Sequence, residues 1–118
     1  MAIVNITNTK LTRNEAATFP TAVAVDATAG AAIDLTNKSD GRILIIIQNI
    51  AEASKTATIK AGNGLQGVED LEITVAASTT KCIVIESGKY KNVTGDNKGK
   101  VIIKGTDANI KIAVVELP

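Results

Sequence analysis

The chain has 118 residues, of which 45% are hydrophobic and 21% are charged, and this composition is typical of one folded domain and not of a disordered segment. Its formal charge is +1 and its basic residues form no long run, which disfavours electrostatic capture of nucleic acid or of an anionic membrane. It contains no histidine, which removes the commonest general base at neutral pH, the usual serine or cysteine triad and most catalytic zinc sites.

The first segment, residues 1–18, is polar and lacks the periodicity of a strand or a helix. We expect it to form an N-terminal arm ahead of a β-sandwich domain at residues 19–118, or else an irregular terminus. No basic stretch followed by a long apolar one opens the chain, so we expect no secretory signal. The longest apolar run, residues 43–47, is much shorter than the ~20 residues that cross a bilayer, so no membrane span is expected.

The rest of the chain alternates short apolar segments with turn-forming residues. Each segment has apolar residues at every second position or a continuous β-branched run, and clusters of Gly, Asn, Asp and Ser separate the segments. They predict eight or nine strands, at residues 21–26, 31–35, 42–49, 56–61, 71–75, 81–86, 100–104 and 110–117, with a short edge piece at 90–93. Such a series without a convincing helix predicts an all-β, antiparallel β-sandwich, which we expect to be jelly-roll-like.

One segment has a continuous aliphatic run. Residues 42–49 are mostly β-branched, which predicts a central strand covered on both faces, with Ile43, Ile45 and Ile47 in the core. A buried helix is the alternative, and the short length and the β-branched residues disfavour it.

Three motifs suggest chemistry, and each has a simpler structural interpretation. A glycine loop at residues 62–67 has the G-x-G-x-x-G spacing of a phosphate loop, but a strand pattern follows it where a dinucleotide site needs a helix, so we expect a hairpin loop. Glu69, Asp70 and Glu72 are close in sequence, but their spacing is not expected to prepare a convergent acid/base pair. The lone Cys82 lies in an apolar segment, which predicts a small core residue instead of a reactive thiol.

The chain contains very few aromatic residues. Phe19 and Tyr90 are the only two, whereas surfaces that bind single-stranded nucleic acid or sugars stack their ligands on several exposed rings. We therefore expect a protein that is not an enzyme, with no catalytic, cofactor-binding or metal-binding residue, no cofactor, and no nucleic-acid or membrane partner.

A series of strand-and-turn motifs carries a family resemblance. Residues 40–49 hold an Asp-Gly-Arg turn and an aliphatic strand ending in Asn, and residues 56–64 hold a Thr-x-Thr-hydrophobic strand and a glycine loop. Residues 71–80 end in a small-residue turn, and residues 112–117 form a closing strand. In this order, over roughly residues 20–117, the chain resembles small head proteins of tailed bacteriophages.

The resemblance implies a structural role in the virion. It implies a head-decoration protein, made in the bacterial cytoplasm, that binds the major capsid protein in the assembled lattice and has no catalytic residue. We expect a homo-oligomer, with a trimer as one candidate, because several modest contacts then act together on a symmetric lattice. The alternatives are a tail or baseplate component and a non-catalytic β-sandwich that binds sugars or peptides. The chain departs from the resembled proteins at residues 85–91, where they carry a proline or aromatic cluster.

Overall fold

The computed structural model describes residues 3–118, apart from the side chain of Asp40. It contains ten strands and one short α-helix, α1, at Ser87–Tyr90. The strands are β1 Val4–Ile6, β2 Asn8–Lys10, β3 Val23–Ala24, β4 Ala31–Asp34, β5 Ile43–Asn49, β6 Lys55–Ile59, β7 Leu71–Val75, β8 Thr80–Ile83, β9 Lys100–Gly105 and β10 Ile110–Glu116. No helix within this part of the chain is long and apolar enough to cross a membrane.

The strands form two sheets, consistent with the predicted β-sandwich. The first sheet has the order β1-β4-β9-β6-β7, and the second has the order β2-β10-β5-β8, with β3 also paired to β10. The expectation of purely antiparallel sheets is wrong, because β1 pairs with β4 and β2 pairs with β10 in parallel. The chain passes from β1 in one sheet to β2 in the other through Thr7 alone.

A single core fills the space between the sheets. Aliphatic side chains from both sheets pack there, and most are fully buried; the largest are Ile33, Ile45, Ile47, Ile59, Ile103, Ile110 and Ile112. Strand β5 lies between β10 and β8 and directs Ile43, Ile45 and Ile47 into this core, so the prediction of a central buried strand is confirmed.

The continuous aliphatic run predicts that the opposite side of β5 is covered as well, and this side is covered in part. Ile46 is buried outside the main core, in a small cluster with Ala113 and Val115 of β10. Leu11 and Ala22 pack against this cluster from the irregular segment between β2 and β3. This segment therefore crosses the outer face of the second sheet.

The arm was predicted at residues 1–18, of which residues 1 and 2 lie outside the described part of the chain, and residues 4–10 do not form a detached arm. Strands β1 and β2 pair with β4 and β10, one in each sheet, and Ile6 is buried in the main core. Residues 11–18 contain no strand, and most of them are exposed. The expected arm is thus wrong for residues 4–10, which complete the edges of both sheets.

Cys82 is exposed, so the prediction that it is a core residue is wrong. It lies opposite Ile46 on the outer side of β8, at the edge of the second sheet, whereas the neighbouring Ile83 and Ile85 face inward. The strand predicted at residues 90–93 is also absent, and the chain there leaves helix α1.

We predict that a Cys82→Ala variant unfolds at the same temperature as the parent chain. The thiol is exposed and makes no disulfide, so its loss should change the free energy of unfolding by no more than about 0.5 kcal/mol. Thermal unfolding followed by circular dichroism measures this change. A loss of several kcal/mol would show that Cys82 packs in the interior after all.

Candidate docking surface

The outer face of the second sheet is apolar at its centre. In the register of β5 and β10, Leu44 lies opposite Val115 and Ile46 lies opposite Ala113, and all four side chains project away from the core. A sheet face that is exposed to water usually carries polar side chains at these positions. Here the apolar centre is covered only in part, by the irregular segment that contains Phe19.

A groove runs along this face on both sides of Phe19 and Pro20. Its two parts have volumes of about 400 and 430 Å³. We call it the outer groove and define it by six residues of its lining: Leu11, Phe19, Leu44, Ile46, Val115 and Leu117. The Phe19 side chain is 74% exposed and Leu117 is 41% exposed, so the groove presents a large uncovered ring beside buried aliphatic side chains. An aromatic residue beside an apolar groove is the usual centre of a protein interface.

The outer face of the first sheet is polar over β6 and β7, whereas Ala32 of β4 and Ile102 of β9 are buried on the same face. Thr58 of β6 stands between Lys104 of β9 and Glu72 of β7, in a row of side chains that water can solvate. At the next outward position, Lys60 Nζ lies 2.6 Å from Asp70 Oδ2. The two broad faces of the molecule therefore differ in chemistry, and the second sheet presents an apolar groove on its outer face.

Four aspartates have pKa values lowered from the ordinary 3.8, and each of them fixes a turn or a strand end. The Ala29 N–H lowers the pKa of Asp26, and the Ala61 N–H, followed by Lys60, lowers that of Asp70. The Thr36 hydroxyl lowers the pKa of Asp34, and Lys55 lowers that of Asp107. The distances from Asp26 Oδ2 to Ala29 N and from Asp70 Oδ1 to Ala61 N are both 2.7 Å. These carboxylates stabilise the fold and do not converge on a common site.

The lowered pKa values predict acid sensitivity. A carboxyl group whose pKa is lower in the folded chain than in the unfolded chain stabilises the fold at pH values above its unfolded pKa of 3.8. This stabilisation is lost as the pH falls through the pKa that the group has in the folded chain. The melting temperature should therefore fall as the pH drops below about 4, and an Asp70→Asn variant should show a smaller fall over the same range. Calorimetry at each pH measures both slopes. Identical slopes in the parent chain and the variant would contradict the assignment to Asp70.

The glycine loop of residues 62–67 is a hairpin loop, as predicted. It connects the antiparallel strands β6 and β7, and no helix starts in it. The Gly62 N–H donates a hydrogen bond to Lys89 O at 2.9 Å, and a Cβ on Gly67 would lie 1.9 Å from Gly62 O. The glycines thus permit close backbone packing within the loop and against helix α1 and Lys91.

The structure places the three acidic residues on the rim of the first sheet. Asp70 is tied to Lys60, while Glu69 and Glu72 are exposed. Within the described part of the chain, no three His, Cys, Asp or Glu side chains lie close enough together to hold a metal ion. The acidic residues provide contact surface and anchoring hydrogen bonds. The outer groove is the feature best suited to binding.

The outer groove was not among the features predicted from the sequence. The only sign of the groove in the sequence is that Leu44 and Ile46 alternate with the core-facing residues of β5. This alternation indicates that the outer face is covered, but it does not indicate which segment covers it. Compared with known proteins, the chain matches no family model, no curated protein and no solved structure.

Proposed function

We propose that the chain is a virion structural protein that decorates the head of a tailed bacteriophage by binding the major capsid protein in the assembled lattice. The observation that supports this proposal best is the contrast between the two broad faces. The apolar outer groove suits a face that lies against a protein lattice, and the charged face of the first sheet suits solvent. Such a role requires binding and no catalysis.

The binding step follows from the groove's chemistry. An apolar side chain of the lattice that enters the groove displaces water from the exposed Phe19 ring and from the half-buried Leu44. Each contact is modest, and a homo-oligomer strengthens it by engaging several lattice sites at once. Both a dimer and a trimer satisfy this requirement.

The finer description of the fold as jelly-roll-like belongs to the same proposal. What supports it is the repeated crossing of the chain between the sheets, since β4 and β5, β5 and β6, and β7 and β8 lie in opposite sheets. Crossing connections of this kind are typical of sandwiches built from Greek keys.

A Phe19→Asp variant tests the docking role of the outer groove. We expect it to bind heads assembled without this chain at least about 30-fold more weakly than the parent, since a central aromatic residue of an interface contributes about 2 kcal/mol or more. Because Phe19 is 74% exposed, the melting temperature should not change. The assay is co-sedimentation with such heads.

The matched control is Thr58→Asp, which places the same charge on the polar face of the first sheet. This variant should bind heads as the parent does. Equal binding by Phe19→Asp and the parent would overturn the docking surface. Binding to tails or to glycans in place of heads would favour a tail component or a ligand-binding module.

A further inference from the structure

Strand β8 forms an open edge of the second sheet. In the described part of the chain it pairs with β5 alone. Thr80, Lys81 and Cys82 are all exposed, and Val84, directly after the strand, is 53% exposed. No other segment among residues 3–118 therefore covers this edge.

The backbone of β8 has free hydrogen-bonding groups along that edge. The Asn49 N–H donates to Thr79 O at 3.0 Å, and the register continues with Ile47 opposite Lys81 and Ile45 opposite Ile83. In an antiparallel pair the directly bonded positions alternate, so residues 79, 81 and 83 bond to β5. The N–H and C=O groups of residues 80, 82 and 84 then point away from the sheet.

The edge has only part of the usual protection against pairing. Natural edge strands are protected by short length, by charges and especially lysine, by a proline or by a bulge. Strand β8 is short and carries one charged residue, Lys81, but it has no proline, and its pairing with β5 has no bulge. Its other side chains are Thr80 and Cys82, which are exposed, and Ile83, which packs against the core.

We infer that β8 pairs antiparallel with the β8 of a second copy of this chain, about a twofold axis at Cys82. A twofold antiparallel pair must place residues of the same sheet face opposite each other, so the axis lies at one of the four strand residues. An axis at Thr80 sets Cys82 opposite Ser78, before the start of the strand, which leaves Lys81, Cys82 or Ile83. An axis at Lys81 sets two ammonium groups directly opposite each other, which is unfavourable.

An axis at Ile83 sets Thr80 opposite Glu86, three residues beyond the end of the strand at Ile83, whereas an axis at Cys82 reaches only one residue beyond that end. With the axis at Cys82, Lys81 lies opposite Ile83 of the second copy, and Thr80 lies opposite Val84. All the free backbone groups of residues 80–84 then find partners.

The pairing has a consequence for the shape of the assembly. The second sheets of two copies join into one continuous sheet, and their outer grooves lie on the same side of it, because Cys82 shares its face with Ile46. The dimer does not depend on the virion role. If that role holds, the dimer presents two outer grooves to the lattice at once.

The test uses the purified full chain. Light scattering should give a mass twice the 12.2 kDa of one chain, and a short bismaleimide should link the two Cys82 thiols, since directly opposed residues in a hydrogen-bonded pair have Cα atoms about 5.5 Å apart. Cys82→Pro removes an N–H that β5 does not use, so this variant should fold but run as a monomer, with a melting temperature lowered by the loss of association.

Cys82→Ala is the matched control and should remain a dimer without cross-linking. A parent chain that is monomeric at every concentration, or that forms trimers, overturns the inference. A dimer that persists in a folded Cys82→Pro variant places the interface elsewhere and overturns it as well. None of these readouts involves heads, so their outcome is separate from that of the Phe19 experiment.

Discussion

An Ile45→Asp variant is expected to be unfolded at room temperature. Ile45 is 0% exposed and lies at the centre of β5, opposite Val114 on one side and Ile83 on the other. A carboxylate there has no cation to pair with in the core cluster, and burying it costs more than about 5 kcal/mol, which is comparable with the whole stability of a small domain. Circular dichroism and thermal unfolding measure the loss.

Leu44→Asp is the control for this substitution. Leu44 precedes Ile45 on the same strand but faces the outer groove, where it is only half-buried. Water can reach a carboxylate at this position, so the variant should fold with a lowered melting temperature. An Ile45→Asp variant with the parent melting temperature would contradict the placement of β5 in the core.

An Asn49→Ala variant should lose about 3 kcal/mol of unfolding free energy, because it leaves several buried backbone groups without partners. The Asn49 side chain is buried at the end of β5. Its Nδ2 donates to Val75 O and to Ala53 O, both at 2.9 Å, and its Oδ1 accepts from the Ala51 N–H at 2.9 Å. It thereby ties the end of β5 to the end of β7 in the other sheet.

Asn63→Ala is the matched control for Asn49→Ala. Asn63 makes equivalent hydrogen bonds, from Nδ2 to Thr94 O and to Oδ1 from the Val93 N–H, but it is exposed. Water replaces its hydrogen bonds, so the loss should stay below about 1 kcal/mol. Chemical denaturation of both variants gives the comparison, and equal losses would show that the burial of Asn49 contributes nothing.

The sequence predicted the strands whose pattern is local. The β-branched run around Ile45 and the strict alternation of β7 each identify a strand and its inner face without knowledge of its partners. Strands β1 and β2 were missed because each has three residues and exists only through parallel pairing with a distant strand. Cys82 was misplaced because an apolar segment at a sheet edge has the same local composition as one in the core.

The outer groove was harder to predict, because it also depends on contacts between distant segments. The outer groove forms where the segment around Phe19 crosses β5 and β10, and no residue pattern specifies that path. The buried role of Asn49 is likewise fixed by carbonyls of Val75 and Ala53 that approach only in the folded chain. Sequence patterns indicate which residues face inward, while the contacts between distant segments decide which remaining surface is apolar.

The position of the chain in purified virions tests the central claim most directly. Gold-labelled antibodies raised against the purified protein would be applied to particles produced from the genome that encodes it and viewed by electron microscopy. The proposed decoration role predicts gold distributed over the surface of the heads. Gold confined to the tails, or particles without any label, would contradict it.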